Sequence, residues 1–331
     1  MSDRETVLHV NNVCWIGGTA YHTLTIAKAY PEYDHVVVFR SSDFDPFMAD
    51  EFKAIGAKVY AADALNSRLI DNVDPFLVIM NNTYRGYVRL NWTKLLRERV
   101  VVAYRHGAAG DVPHTYLVWN SEFSRAEDGK PGEVSRVMGS FIDTDEFDSV
   151  ERSYEYCRSM GTLTTGATRI KLKLGGSFAA ALLRINMRIP SLKVVIPNAE
   201  DVGLPTWCDT PNLQHSTVTD FYSSIDIFIY YTDGSNTENW GRTVTEAMAA
   251  GLPIVAERRG AIVEQIDDGV DGFLFDTVDE LIDRVVELYH DGDLRRRIGT
   301  AAREKACSRF GIPAIRSHLD DIFEEAMRRR G

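Results

Sequence analysis

Apolar positions along this chain fall into two rhythms, short continuous runs of three to five residues and longer stretches with helical spacing. Val7-Leu8-His9-Val10, Val36-Val37-Val38-Phe39, Lys58-Val59-Tyr60, Phe76-Leu77-Val78-Ile79-Met80, Val100-Val101-Val102-Ala103 and Tyr116-Leu117-Val118-Trp119 read as strands. Helices fall at 20–30 and 45–55 between them. A second set begins at Leu163-Thr164-Thr165, with a helix at 177–187 and strands at 193–196, 226–230, 253–256 and 272–275. Helices at 279–290, 294–310 and 312–329 complete it. Strand, helix, strand in repeated order implies right-handed crossovers and parallel sheets. Around 147–153 acidic polar residues replace the apolar rhythm, which places the link there. The expected architecture is α/β, two doubly wound domains over 1–147 and 148–311, and a terminal helix over 312–331. Two such domains facing each other across a cleft hold a ligand between the carboxyl ends of both sheets.

Composition narrows this only slightly. At 331 residues the chain fits two domains of ordinary size, and 44% apolar with 26% charged residues is the balance of a soluble globular protein. No apolar run nears the ~20 residues that span a bilayer, and no signal-peptide pattern opens the chain. Cys14, Cys157, Cys208 and Cys307 are scattered without a Cys-x-x-Cys pair, so they read as buried thiols in a reducing cytoplasm. The net charge of −11 argues against wholesale nucleic-acid binding. Between Tyr84 and His106, however, Arg85, Arg89, Lys94, Arg97, Arg99 and Arg105 face a single acid, Glu98. That stretch reads either as a weak contact with an anionic surface or as an amphipathic helix whose Arg stems cover apolar surface.

The most informative segment is Glu238-Asn239-Trp240-Gly241-Arg242-Thr243-Val244-Thr245-Glu246-Ala247-Met248-Ala249-Ala250-Gly251-Leu252-Pro253. Gly241 opens a run of helix formers, Gly251 stops it and Pro253 blocks its continuation. Glu238 therefore precedes a helix and Glu246 lies within it. Carboxylates accept hydrogen bonds from sugar hydroxyls, and the amides of a helix start meet phosphate. Taken alone, the pair also reads as two solvated glutamates favoured by the helix dipole.

Glu238, seven residues, then Glu246 in Glu-Ala-Met-Ala-Ala-Gly-x-Pro resembles the motif of retaining glycosyltransferases of family 4, which have the GT-B fold. Ser223-Ser224-Ile225-Asp226-Ile227-Phe228-Ile229-Tyr230 resembles the strand before that motif. Gly260-Ala261-Ile262-Val263-Glu264 and Asp268-Gly269-Val270-Asp271-Gly272-Phe273-Leu274-Phe275 resemble the segments after it. Asn120-Ser121-Glu122-Phe123-Ser124-Arg125 and Ile142-Asp143-Thr144-Asp145-Glu146-Phe147 look like the family's passage between domains, and Gly17-Gly18-Thr19 like its N-terminal glycine loop. The likeness is strong from about Ser121 onward and weak before it.

The resemblance implies two Rossmann-like domains, with the terminal helix returning to the first. It implies metal-independent transfer of a sugar from a nucleotide-diphosphate sugar to an acceptor hydroxyl, with retention and front-face displacement. Glu238 would hold the donor sugar, with the backbone N–H groups of Asn239, Trp240 and Gly241 beside it, and Arg242 and Thr243 at the helix start. Glu246 would accept from the ribose, and His106 would contact the sugar. The family's diphosphate-binding Arg is replaced by Ala167, so Arg169 and Lys173, with Lys171 close by, are the substitutes. Gly17 and Gly18 would meet phosphate or acceptor. Asp143 and Asp145 look like a metal pair but fall in the connection, and no metal is expected. The other histidines, His22 among them, show no ligand spacing.

The donor base is open, with a UDP-sugar as default. The acceptor is open among polysaccharide, lipid, small molecule and modified DNA, as is the oligomeric state. The expected place is the cytoplasm, including the inner face of a membrane. Two other readings keep the fold: a sugar-nucleotide-binding scaffold subunit with a degraded site, and a sugar-nucleotide epimerase.

Overall fold

Val and Ile crowd the strands because helices cover both faces of each sheet. The computed structural model describes residues 4–11, 17–39, 45–61, 65–83, 88–107, 112–163, 174, 176–199, 203–213, 218–232 and 237–330. It divides into two units, Met1–Ile142 with Gly311–Gly331, and Asp143–Phe310.

The first unit contains β1 (Thr6–Asn11), β2 (Asp34–Phe39), β3 (Lys58–Ala61), β4 (Leu65–Asn66), β5 (Leu77–Asn81), β6 (Val88–Arg89), β7 (Val100–Arg105), β8 (Tyr116–Trp119) and β9 (Arg136–Val137). Seven of them form a parallel sheet in the order β3-β2-β1-β5-β7-β8-β9, and β4 pairs with β6 apart from it. The order reverses between β1 and β5, which is where a doubly wound sheet opens a crevice. Val7, Ile79, Val102 and Tyr104 cover one face with Ile26 of helix Gly18–Ala29 and Ile315, Leu319 and Phe323 of helix Ile312–Arg330. The last helix is fastened by Tyr30 stacking on Phe323 at 3.8 Å and by Arg136 forked onto Asp321 at 2.9 and 2.7 Å. Helix starts follow the local sequence: Asp45 caps with Pro46 behind it, and Asn66, Asn91 and Ser121 each accept an N–H of the following turn.

The second unit holds β10 (Ser159–Gly161), β11 (Lys193–Val195), β12 (Ile227–Tyr230), β13 (Ile254–Glu257) and β14 (Phe273–Phe275), parallel in the order β11-β10-β12-β13-β14. Its core gathers Met160, Phe178, Ile185, Ile229, Val255, Leu281, Val285 and Ile298. The opening strand is Ser159–Gly161, its start pinned where Asp226 Oδ2 accepts the N–H groups of Arg158 at 2.7 Å and Ser159 at 3.0 Å; of the run expected from Leu163, Thr164 and Thr165 lie outside the described residues. The stretch expected as one helix over 294–310 is instead a helix Gly292–Lys305 capped by Asp291, followed by a π turn Ala306–Phe310. Asp143 caps the Thr144–Phe147 turn by accepting the Asp145 N–H at 3.3 Å.

One compositional expectation changes, that of buried thiols, and Cys14 lies outside the described residues. Cys307 is exposed, whereas Cys157 and Cys208 are half-buried, and burial pushes their thiols up to about 12 and about 11. The basic stretch forms helix Trp92–Glu98, with Lys94 paired to Asp71 at 3.2 Å, Arg97 to Glu98 at 3.3 Å and Arg99 to Asp74 at 2.6 Å. Arg105 is buried, stacked on Trp119 and 3.8 Å from Glu133. The described cations of that stretch are thus engaged with acids, which favours the packed-helix reading; Arg85 and the Arg89 side chain lie outside the described residues. No described helix is long and apolar enough to cross a membrane.

Candidate active site

Gly241 begins helix Arg242–Ala249 without a side chain to cap it. The fully buried Gln265 does that work from the end of the short helix Ile262–Gln265. Its Oε1 accepts the Gly241 N–H at 2.9 Å, while Nε2 lies 3.0 Å from Gly241 O and 2.7 Å from Thr245 Oγ1. This corrects one expectation: the Gly241 N–H does not face a donor hydroxyl, because Gln265 has taken it. The Arg242 N–H likewise lies 3.1 Å from Trp240 O. At the other end Gly251 adopts φ 71°, which stops the helix. There Arg152 donates to Ala250 O at 2.8 Å, Arg303 to Ala249 O at 2.9 Å and the Tyr154 hydroxyl to Gly251 O at 2.8 Å. A short helix is thereby held rigidly at both ends.

Glu246 lies within that helix at 5% exposure. Arg242, one turn earlier, places Nε 2.6 Å from Oε1, and the buried Tyr222 hydroxyl donates to Oε2 at 2.8 Å. Glu238 is less buried and accepts from the Tyr230 hydroxyl, at the carboxyl end of β12, at 2.6 Å. Its loop is clamped by Gly260, which has φ 55°; a Cβ there would sit 2.4 Å from Glu238 O. The Ala261 N–H then reaches Glu238 O at 2.9 Å. Glu257, at the end of β13, accepts the Thr232 N–H at 2.9 Å and ties the same edge together. Trp240 turns its ring edge-on to Phe310 at 5.4 Å. Glu238, Asn239, Trp240, Gly241, Arg242, Thr243 and Glu246 therefore share one loop and helix beside the strand-order reversal of the second sheet, between β10 and β12.

In the first unit, Gly17 and Gly18 start helix Gly18–Ala29, and His106 follows β7. Asn11 and Asn81 stand opposite each other in register at the ends of β1 and β5. Thr23 of the helix links them, donating to Asn11 Oδ1 at 3.0 Å and accepting from Asn81 Nδ2 at 2.9 Å. His22, assigned nothing from sequence, packs 5.1 Å from His106 and 4.2 Å from Tyr104. Gly17 and Gly18 thus open the helix whose second turn sets His22 against His106.

Burial holds the His106 imidazole down at about 4, so at neutral pH it is uncharged and suited to a neutral hydroxyl. His9 and His35 are also pushed down, chiefly by burial. His35 Nε2 lies 2.9 Å from Tyr30 O and must donate to it, so with both rings neutral His35 Nδ1 accepts from His9 Nε2 at 3.0 Å. A histidine held below its ordinary 6.5 binds fewer protons folded than unfolded, so stability rises with pH and is lost as pH falls from 6.5. We expect the loss between pH 6.5 and 5, before carboxylates protonate, to be on the order of 1 kcal/mol per buried histidine. A thermal midpoint that stays flat across that window would refute it.

Arg169, Lys171 and Lys173 lie outside the described residues. Gln265, Tyr222, Tyr230 and Gly260 were not singled out as site residues from sequence. Gln265 directly follows the quoted Gly260-to-Glu264 segment and Tyr222 directly precedes Ser223, so position was a signal, but nothing local named their partners. No cluster of three or more His, Cys, Asp or Glu side chains able to hold a metal ion occurs among the described residues.

The two-sheet architecture is that of GT-B glycosyltransferases. Solved structures with this fold include an Anabaena protein, HepE, in complex with UDP (TM-score 0.74, 15% identity, 97% of this chain and 100% of that one). A glycosyltransferase from Rickettsia africae matches with TM-score 0.76 at 16% identity over 98% and 99% of the two chains. Residues 199–305 match the family described as glycosyl transferases group 1, and they contain the Glu238–Glu246 segment. Among curated proteins, sulfoquinovosyl transferase SQD2 of Arabidopsis thaliana is 39% identical over 148 residues, covering 40% of this chain and 28% of that protein. D-inositol 3-phosphate glycosyltransferase of Corynebacterium kroppenstedtii is 38% identical over 97 residues, covering 29% and 21%. The chain thus aligns with less than a third of the length of these relatives.

Proposed function

We propose that this protein is a retaining glycosyltransferase that moves a sugar from a nucleoside diphosphate sugar to an acceptor hydroxyl without a metal ion. The observation that carries this is the fixed pair of carboxylates, Glu238 on Tyr230 and Glu246 between Tyr222 and Arg242, on the loop and helix of the group 1 segment. The group 1 match and the UDP and UDP-glucose complexes of similarly folded proteins support a nucleotide-sugar donor, with a UDP-sugar as default.

In this reading Glu246 accepts from the ribose hydroxyls and Glu238 from the donor sugar. His106 hydrogen-bonds the sugar as a neutral imidazole, and Arg242 and Thr243 stand at the nucleotide side. Gly17 and Gly18 offer amides to phosphate or acceptor, and Arg169, Lys171 and Lys173 neutralise the departing diphosphate. The bond from anomeric carbon to phosphate oxygen breaks, the acceptor oxygen bonds to that carbon on the same face, and the hydroxyl proton leaves with the diphosphate.

The test is calorimetry of the protein against UDP, GDP, ADP, CMP and dTDP and their common sugars, with and without EDTA, on the wild type and on Glu246→Ala. We expect one nucleoside diphosphate to bind selectively and unchanged by EDTA, and Glu246→Ala to weaken it about tenfold or more. Unchanged affinity in Glu246→Ala would remove the ribose assignment. Binding without donor hydrolysis or transfer would point to the scaffold reading.

A further inference from the structure

Glu246 is held from two sides by donors of different kinds. Arg242 sits one helical turn before it and approaches Oε1 at 2.6 Å. Tyr222 comes from helix Val218–Ser224, a separate element, and donates to Oε2 at 2.8 Å. An ionised carboxylate offers about four acceptor positions on its two oxygens. With one position on each oxygen occupied, one remains on each. Two adjacent hydroxyls on one face of a ring carry two donors at matching separation, and that is the pattern of a ribose 2′,3′-cis-diol.

The hydrogen bonding around Tyr222 is asymmetric. Its hydroxyl has one proton and two acceptors in reach, Glu246 Oε2 at 2.8 Å and Thr243 O at 3.2 Å. The charged acceptor is closer and stronger. If Glu246 were removed, the phenol would still have the Thr243 carbonyl. If the phenol were removed, Oε2 would keep no donor among the described residues and the side chain would be free to rotate toward Arg242. The arrangement therefore serves the carboxylate more than the tyrosine. The ring is immobilised by edge contacts with Phe147 at 5.7 Å and Phe221 at 5.2 Å, and by a tilted contact with Phe228 at 5.9 Å. Burial and the neighbouring carboxylate push its pKa well above the ordinary phenol value, so the proton stays on the oxygen throughout the working pH range.

From this geometry we infer that Tyr222 is a positioning residue that fixes the rotamer of Glu246 so that both carboxylate oxygens meet the two ribose hydroxyls of a nucleoside diphosphate. The inference rests on the ribose role of Glu246 given above and adds the residue that sets its selectivity. A purely structural tyrosine would change stability or overall affinity, but not the preference between ribose and deoxyribose.

That preference is the readout. Calorimetry compares UDP with 2′-deoxy-UDP, or GDP or ADP with its 2′-deoxy form if the screen above selects that base. The proteins are wild type, Tyr222→Phe and Phe147→Leu, the last loosening the packing around the ring while keeping the hydroxyl. Wild type is expected to prefer the ribonucleotide by about tenfold or more. Tyr222→Phe is expected to bring the preference within about threefold, and Phe147→Leu to retain it. A Tyr222→Phe protein that remains folded and keeps the wild-type preference overturns the positioning role while leaving the ribose contact intact. An equal loss of preference in Phe147→Leu assigns the effect to packing and also overturns it. A wild type that binds ribo- and deoxyribonucleotide equally removes the ribose contact itself, and Tyr222's role with it.

Discussion

Replacing Glu238 by Gln is expected to lower turnover about a hundredfold while leaving nucleoside diphosphate affinity within about threefold. Gln keeps the shape of the side chain and one oxygen for the Tyr230 hydroxyl, which now lies 2.6 Å from Oε2. It removes the negative charge and half of the acceptor capacity. In the proposed reaction the donor sugar gains positive character as its bond to phosphate breaks, so a nearby carboxylate becomes more valuable in the transition state than in the ground state. The loss should therefore fall on kcat. The nucleotide portion meets Glu246 on the following helix and should not sense the change. Donor hydrolysis or transfer rates, measured beside calorimetry with the free diphosphate, separate the two effects. A parallel loss of nucleotide affinity would place Glu238 at the nucleotide and not at the sugar.

The largest stability effect is expected at Lys305. Its ammonium is buried and lies 2.8 Å from Asp271 and 3.0 Å from Asp267. Asp271 is itself buried, and its Oδ1 accepts the Asp267 N–H at 2.8 Å, which closes the turn before β14. Burial pushes the Asp271 carboxyl up, and Lys305 opposes that push. Lys305→Met would leave a buried carboxylate without its counter-ion, at a cost of about 3 kcal/mol and a fall in Tm on the order of 10 °C. The pH dependence has a definite sign. A carboxyl whose folded pKa is raised binds more protons folded than unfolded, so the defect should be full near pH 7 and shrink as pH falls through the raised folded pKa, levelling off at the ordinary unfolded value. Adding Asp271→Asn should recover part of the loss. Equal Tm values for Lys305→Met and wild type at pH 7 would show that the pair contributes nothing.

Much of this fold was legible in the sequence because its signals are local. Short apolar runs marked most of the longer strands of both sheets, and helical spacing marked the helix now seen as Ile312–Arg330. Where local signals were mixed, the reading slipped. The strand Ser159–Gly161 is too short, and too polar at its ends, to stand out; its limit is set by Asp226, which is distant in sequence. The π turn at Ala306–Phe310 has helical composition and was read as helix. His22 carried no ligand spacing, yet helix Gly18–Ala29 sets it against His106.

By itself the sequence determined the alternation of strand and helix, the start and stop of the helix after Gly241, and the interval that puts Glu238 before that helix and Glu246 inside it. These depend on backbone preferences and on residues within a few positions of one another. Only the tertiary structure decided that Tyr222 holds Glu246, that Gln265 takes the Gly241 N–H, and that Gly260 clamps the Glu238 loop. Those partners come from separate elements, and which side chains face each other depends on the order and register of the strands that carry them. A hydrogen bond requires direction and distance to agree within tenths of an ångström, and only the packed sheets and helices supply that.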